Sequence, residues 1–521
     1  MVLIATSWVV GCQTENVPVA QPLETGGTAV VGVPAAATTV LPPLAAVALD
    51  FEIGALLYPG LNFGEWEDGA LTYLPGHPSG LARSWDVDGA TLTYHLDPER
   101  RWSDGRAVRS ADVAFTFALL ADTALALPLS SVTARIDSIG TPDDTTVVFH
   151  FDAPYPGMVF DTGVGVLPEH VFAAIPRERL SGGLPLPDGM DYAALPVSGP
   201  FRLSEWIPDD RVVFLRNDQA AEPARLDRLV VRVVPDEGSR AAELRAGEIH
   251  AAQFNSFRVT RDLSEEGFRV QSIPQRGYDY IAWNPAGNEA FGDARVREAL
   301  SLAIDRDALI PALDLDGFAE PAWGPYGSLF AALRSLPPHE PLHDPDRARA
   351  LLAEAGFAET GALSFEMIVP AGNDRREDAA EIIQAQLAEV GVEVAVRSQE
   401  FNSLFGRMLG GEYQSALMGW QVALDPDMST FWLDPASPLN VVGFDDPGVA
   451  GAISSALAQT DASAAAPFWR EAADGVAAAY PYAFLWYFDQ PFVVHPSLTD
   501  VSVDVSGWAA GAGRWTIRPA Q

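Results

Sequence analysis

Lysine is absent from this 521-residue chain: all 33 residues in the Lys+Arg count are arginine, set against 70 Asp and Glu for a formal net charge of −37. A polyanion of that size repels phosphate backbones, which excludes a nucleic-acid binder. Cysteine occurs once, at Cys12, so no intrachain disulfide can form. Long apolar runs are also missing beyond the first residues, and nothing there approaches the roughly 18 consecutive apolar residues of a spanning helix. What remains is the balance of a folded, soluble protein, 48% hydrophobic and 20% charged. The length exceeds a single core and suits roughly two to four domains.

The start of the chain is apolar and runs into Val9-Val10-Gly11-Cys12, which resembles the bacterial lipobox, although no basic residue precedes it. That resemblance implies acylation of Cys12, residues 1–25 as signal and tether, and an extracytoplasmic chain held to the cell membrane by lipid alone. Thr28–Val33 then reads as a buried strand, Leu92–Leu96 and Thr146–Phe151 as alternating strands, and Ser110 as the N-cap of a helix carrying Val113, Phe117 and Leu120. A Gly/Pro-rich passage from about 181 to 200 suggests a domain crossing. Phe201–Trp206 and Arg211–Leu215 pair across Pro208-Asp209-Asp210, Leu229–Val234 reads as a central strand, and Ser239–Ala246 as a helix stopped by Gly247. The second half alternates. Strands at Phe365–Val369, Val392–Val396 and Ala416–Trp420 flank helices at Asp374–Val390 and Asn402–Leu409, the pattern of an α/β lobe.

Several segments together resemble one family. Leu81–Trp85 (LARSW), Trp102-Ser103-Asp104-Gly105, Ser110–Phe115, Ser198-Gly199-Pro200-Phe201, Leu244–Ile249, Trp283-Asn284, Asp293–Arg306 (DARVREALSLAIDR) and Asp344–Phe357 follow in the order and spacing of the family 5 solute-binding proteins. The resemblance runs from about residue 26 to 504. It implies an α/β fold of the periplasmic-binding-protein-like type II (class C) kind, two α/β lobes joined by a hinge, plus an extra domain. Domain I would comprise 26–47, 195–274 and 487–521, domain II 48–194, and domain III 275–486, with hinge crossings near Pro274–Tyr280 and Phe484–Gln490. The implied function is capture of an oligopeptide or peptide-like solute in the inter-lobe cleft by a monomer that delivers it to an ABC permease and ATPase complex. No enzymatic activity, metal or cofactor is implied.

The same resemblance places the ligand near Gly419-Trp420-Gln421 and Asp425-Pro426-Asp427. Trp420 would be an aromatic wall, Gln421 an amide contact, and Asp425 either a partner for a cationic group or, more commonly for Asp in such a loop, a turn cap. Phe401 stands where relatives often carry Trp. Tyr278, Trp283 and Asn284 lie near one crossing and Trp486 and Tyr487 near the other, with Trp432 in a nearby loop. Two departures bear on the ligand. The dipeptide-binding branch pairs a free amino terminus with an Asp between these motifs and the carboxylate with an Arg after the strand at Phe365–Val369. Gln421–Leu424 supplies no acid and Pro370–Asn373 no Arg, although Arg375 and Arg376 follow closely. A short peptide gripped at both ends is disfavoured, and a longer, blocked or non-peptide solute favoured.

Two other functions stay open: a sensor or chaperone on the same fold, and a secreted zinc hydrolase. The second rests on His339-Glu340-Pro341-Leu342-His343, which matches HExxH in form. Zinc chemistry needs both histidines on one helical face, and Pro341 breaks a helix there. Neither a G-x-S-x-G elbow nor a G-x-x-x-x-G-K-[ST] loop occurs. Asp314–Gly317 begins like a calcium loop but lacks its later ligands and reads as a turn.

Overall fold

The computed structural model describes residues 26–67, 70–125, 127–176, 192–334, 336–359, 361–422 and 424–518. Cys12, the tether and most of the Gly/Pro-rich passage lie outside these residues. Among the described residues no helix is long and apolar enough to cross a membrane.

One 11-stranded sheet organises the chain. From one edge its order is Val392–Gln399, Leu363–Pro370, Ser415–Gln421, Arg269–Trp283, Tyr482–Val494, Ala251–Gln253, Thr28–Val33, Arg228–Val233, Arg211–Arg216 and Phe201–Ile207, with Ala319–Pro321 added onto Tyr482–Val494. Leu363–Pro370 and Thr28–Val33 run parallel to both of their neighbours, and every other pair is antiparallel. Helices cover the parallel ends, as βαβ connections require.

The middle of the sheet joins its two ends. Arg269–Trp283 and Tyr482–Val494 are long strands paired to each other on both sides of a register break between Pro274 and Tyr278. They include the segments Pro274–Tyr280 and Phe484–Gln490. Pro274 cannot donate to the ladder, and a Cβ on Gly277 would collide with the Trp420 carbonyl oxygen. The break therefore sits where the backbone has least to hold it in line.

A separate four-stranded antiparallel sheet (Ala82–Asp88, Thr91–Leu96, Thr146–Phe151, Ile136–Asp143) and the hairpin Gly64–Glu67/Ala70–Tyr73 both fall within 48–194. Buried residues of this stretch, such as Tyr94 and Phe149, form one continuous core with Phe214 and Leu229 of the large sheet. The 275–486 end carries two cores, one per sheet face. One holds Trp283, Leu300, Phe365 and Ile383, and the other Tyr280, Trp432, Trp469 and Tyr482.

Local chemistry departs from expectation at one helix start. Arg109, not Ser110, is the N-cap of the helix Ser110–Leu120; Asp112 accepts from Arg109 N, and the Ser110 hydroxyl donates to the Asp143 carbonyl. The motif segment Asp293–Arg306 spans one helix and the start of a second. Asp293 caps Ala294–Leu302 and Asp305 caps Arg306–Ala312. Among the described residues Arg306 forms no ion pair. It is buried, and its guanidinium donates to the carbonyls of Phe484, Ser301 and Ile304 and to the Ser301 hydroxyl.

Candidate functional site

The strand Ser415–Gln421 lies beside Arg269–Trp283, in register Trp420↔Tyr278 and Gln421↔Gly277. Trp420 is half-buried at its end. Its ring stacks on Tyr280 with centroids 5.9 Å apart and planes 18° apart, and Tyr280 in turn stacks on Tyr482 at 4.1 Å. The Trp420 Nε1 donates to the Tyr482 hydroxyl at 3.3 Å. On its other side Phe405 meets Trp420 edge-on at 6.1 Å and stacks with Phe401 at 6.0 Å. The result is an aromatic wall that grades from Phe401, 47% exposed, to fully buried Tyr482. Such a gradient offers flat apolar surface at its open end and rigid backing behind it. Among the described residues the Tyr278 hydroxyl is buried without a hydrogen-bond partner, and burial pushes the Tyr278 and Tyr280 phenols well above their usual range.

Below Trp420 the chain turns through Asp425-Pro426-Asp427. One Asp425 oxygen caps that turn by accepting from Asp427 N at 2.8 Å. Its other oxygen abuts Gly157, where a Cβ would lie 3.0 Å away. Burial pushes the Asp425 carboxyl up to about 6, and the charges of Asp427 and Asp161 add to it. Asp161 itself accepts from the Tyr155 hydroxyl at 2.5 Å, beneath an Arg135 guanidinium 4.0 Å over the Tyr155 ring. The Tyr326 hydroxyl donates to the Pro426 carbonyl, and Phe330 meets Trp66 edge-on at 5.4 Å. Residues of the 48–194 stretch thus close against the 275–486 end around Asp425 and Phe330.

Beside the register break lies a cavity of about 280 Å³, lined by Gln275, Arg276 and Gly277 of one long strand, Tyr487, Phe488 and Asp489 of the other, and the segment 317–330 including Glu320 and Phe330. Tyr487 donates its hydroxyl to the Gly324 carbonyl at 2.7 Å, fixing that loop. Burial pushes the Asp489 carboxyl up to about 6, an effect that Glu320 reinforces.

The other expected site residues go elsewhere. Trp283 and Trp486 are fully buried on the opposite sheet face, where Trp283 packs on Phe291 and Phe365. Trp432 is buried between Tyr482 and Phe444. Asn284 holds the carbonyls of Tyr413 and Gly411 and accepts from Ala286 N, which uses its amide inside the fold. Trp283, Trp486 and Trp432 thus sit within the packed cores, and the Asn284 amide is spent on backbone groups. Trp420, Phe401, Tyr278 and Tyr487 gather about the hinge and its aromatic wall, with Gln421 exposed at the strand end and Asp425 at the junction. Arg375 and Arg376 are engaged by Asp279, at 3.4 and 2.6 Å. Burial raises the Asp279 carboxyl, but the two guanidiniums outweigh it and hold it below its usual range. Gly419 leaves the room: a Cβ there would strike both Arg376 and Asp279.

Sequence reasoning missed Arg276, Asp489 and Glu320. The first two lie inside the expected crossings, and charged residues in a segment that must bend were the available signal. His339 and His343 face different acids, Asp344 and Asp305, each at 3.4 Å, on a segment that is not helical. Among the described residues no group of three His, Cys, Asp or Glu is placed to hold a metal.

Residues 78–438 match the bacterial extracellular solute-binding proteins, family 5 middle. The oligopeptide-binding protein AppA of Bacillus subtilis is 26% identical over 437 residues, covering 77% of this chain and 76% of its own. Its structure in complex with a nonapeptide superposes with a TM-score of 0.73 at 22% identity, covering 95% of this chain and 100% of that one. The glutathione-binding protein GsiB of Pectobacterium atrosepticum is 27% identical over 500 residues, covering 92% and 93%. The ABC transporter substrate-binding protein CtaP of Listeria monocytogenes superposes with a TM-score of 0.80 at 20% identity, covering 95% and 99%.

Proposed function

This chain belongs to the bacterial extracellular solute-binding proteins of family 5, and from that membership we propose that it captures a peptide or peptide-like solute at the hinge and hands it to an ABC permease. The solute-binding role and the extracytoplasmic setting come with the family. The ligand class, the lipid anchor at Cys12 and the monomeric state are the proposal. The observation that carries it is the pair of long strands crossing between the two ends of one sheet, with a cavity and an aromatic wall at the crossing. Two strands joined at a register break make a hinge, and a solute bound at a hinge is buried by closure. A permease that docks only the closed form then reads occupancy, because the ligand shifts the open–closed equilibrium. The names of AppA and GsiB support peptide-like ligands.

The test is the solute that travels with the protein. Mass spectrometry of material released from protein isolated from its own membrane fraction should find one small peptide-like solute per chain. The protein should rise in melting temperature when that solute is added back. A chain that carries nothing and responds to no peptide pool defeats the reading. Metabolic labelling with a fatty acid, lost in Cys12→Ser, tests the anchor separately, and dependence of uptake on the adjacent permease separates import from sensing.

A further inference from the structure

The cavity at the hinge contains a cation with nothing to do. Arg276 lines it, half-buried, and among the described residues its guanidinium has neither an ion pair nor a hydrogen bond. Most arginines near the site are committed. Arg375 and Arg376 hold Asp279, and Arg334 pairs with Glu320 at 3.1 Å while lying 3.9 Å over the Trp323 ring. In a chain with a net charge of −37, a partly buried arginine without a carboxylate is costly unless something else supplies the anion. Burial alone pulls this guanidinium below its usual range.

The same cavity shows what else that anion carries. Among the described residues Glu320 Oε1 is buried without a hydrogen-bond donor, and Asp489 adds a second carboxylate to the lining. A solute with several negative groups would meet these acids, whereas one carboxylate accompanied by N–H or ammonium donors satisfies both sides. The volume of about 280 Å³ is nearly twice the roughly 150 Å³ that accepts a benzene-sized guest, which suits a short solute.

We propose that Arg276 is the carboxylate anchor of the binding site, and that the hinge cavity takes a short peptide with a free carboxyl terminus and at least one donor group beside it. The anchor is thus on the hinge strand itself, not after the strand Leu363–Pro370, where the Arg of the dipeptide binders was sought. It replaces the expectation of a long or blocked ligand. Because Arg276 and Gly277 occupy the register break, a carboxylate bound there fastens directly onto the segment that bends. The inference rests on the solute-binding role proposed above.

Isothermal titration of the full chain with trialanine and with trialanine amide tests it without any substitution. The free acid should bind at least roughly tenfold more tightly than the amide, the value of a charge-assisted contact. Arg276→Gln should reduce the free acid to the affinity of the amide and leave the amide unchanged, and Arg276→Lys should restore part of the difference. Equal binding of acid and amide to the unaltered chain overturns the anchor while leaving the transport role intact. Binding of neither overturns the short-peptide class. The co-purified solute then decides the transport role by itself, so the two failures are distinguishable.

Discussion

The indole of Trp420 lies nearly parallel to the ring of Tyr280, 5.9 Å between centroids and 18° between planes, while its Nε1 reaches past to the Tyr482 hydroxyl. A half-buried Trp held by stacking behind, by Phe431 at 5.0 Å and by a hydrogen bond at its edge is rigid before a ligand arrives, so little entropy is lost when one packs against its exposed part. Trp420→Ala removes both that platform and part of the wall. The expected cost is about 2 kcal/mol of stability, below the roughly 3–5 kcal/mol of a fully buried aromatic. Ligand affinity should fall at least about tenfold. Titration of the co-purified solute against Trp420→Ala reads this, and unchanged affinity would remove Trp420 from the site.

Asp279 predicts a larger effect. It is wholly buried between Arg375 and Arg376, so its removal strands two partly buried cations. Asp279→Ala should cost about 3–5 kcal/mol in urea unfolding. The double variant Asp279→Ala/Arg376→Ala should recover part of that loss, because the uncompensated charge leaves with its partner. A double variant as unstable as the sum of the singles would show that the ion pair is not the source.

How much of this was legible beforehand follows from periodicity. Thr28–Val33 and the helix that begins at Asp374 are local matters of pattern, and both appear where the sequence put them. The aromatic residues at the hinge are different. Tyr278 through Trp283 is apolar on both faces apart from Asp279, as a central strand must be, so alternation cannot say which face looks toward the cavity. That is why Trp283 was grouped with Tyr278, although they lie in different cores. The state of Arg276 was beyond sequence for a simpler reason: whether a cation has a partner depends on residues far along the chain. Two crossings could be located, but not what they enclose.

Arg306 carries a test of shape rather than charge. Its guanidinium serves four acceptors in a buried pocket at the join of two helices and the strand Tyr482–Val494. Lysine keeps the charge but cannot present that planar fork of donors. Arg306→Lys should therefore destabilise by about 2 kcal/mol or more, since at least one buried carbonyl loses its donor. Chemical denaturation with an unchanged m-value would assign the loss to the native state. A neutral result would mean that the fork geometry is dispensable.

Glu52 gives a pH signature. It is buried in the helix Ala48–Leu57 beside Gly507, and burial pushes its carboxyl up to about 8, with the charge of Asp504 adding to the rise. The native state therefore keeps this proton across a window, from the ordinary value of 4.5 to about 8, in which the unfolded chain has lost it. Stability must fall as pH rises through that window, because the native state binds more protons than the unfolded one. Glu52→Gln keeps the shape and removes the titration. Relative to the unaltered protein it should gain little at pH 5 and a few kcal/mol at pH 8, with about 5 kcal/mol as the upper limit set by the shift. Parallel urea titrations at the two pH values read the difference directly. An equal stability difference at both would place the Glu52 carboxyl in a solvated setting and remove its burial as the cause.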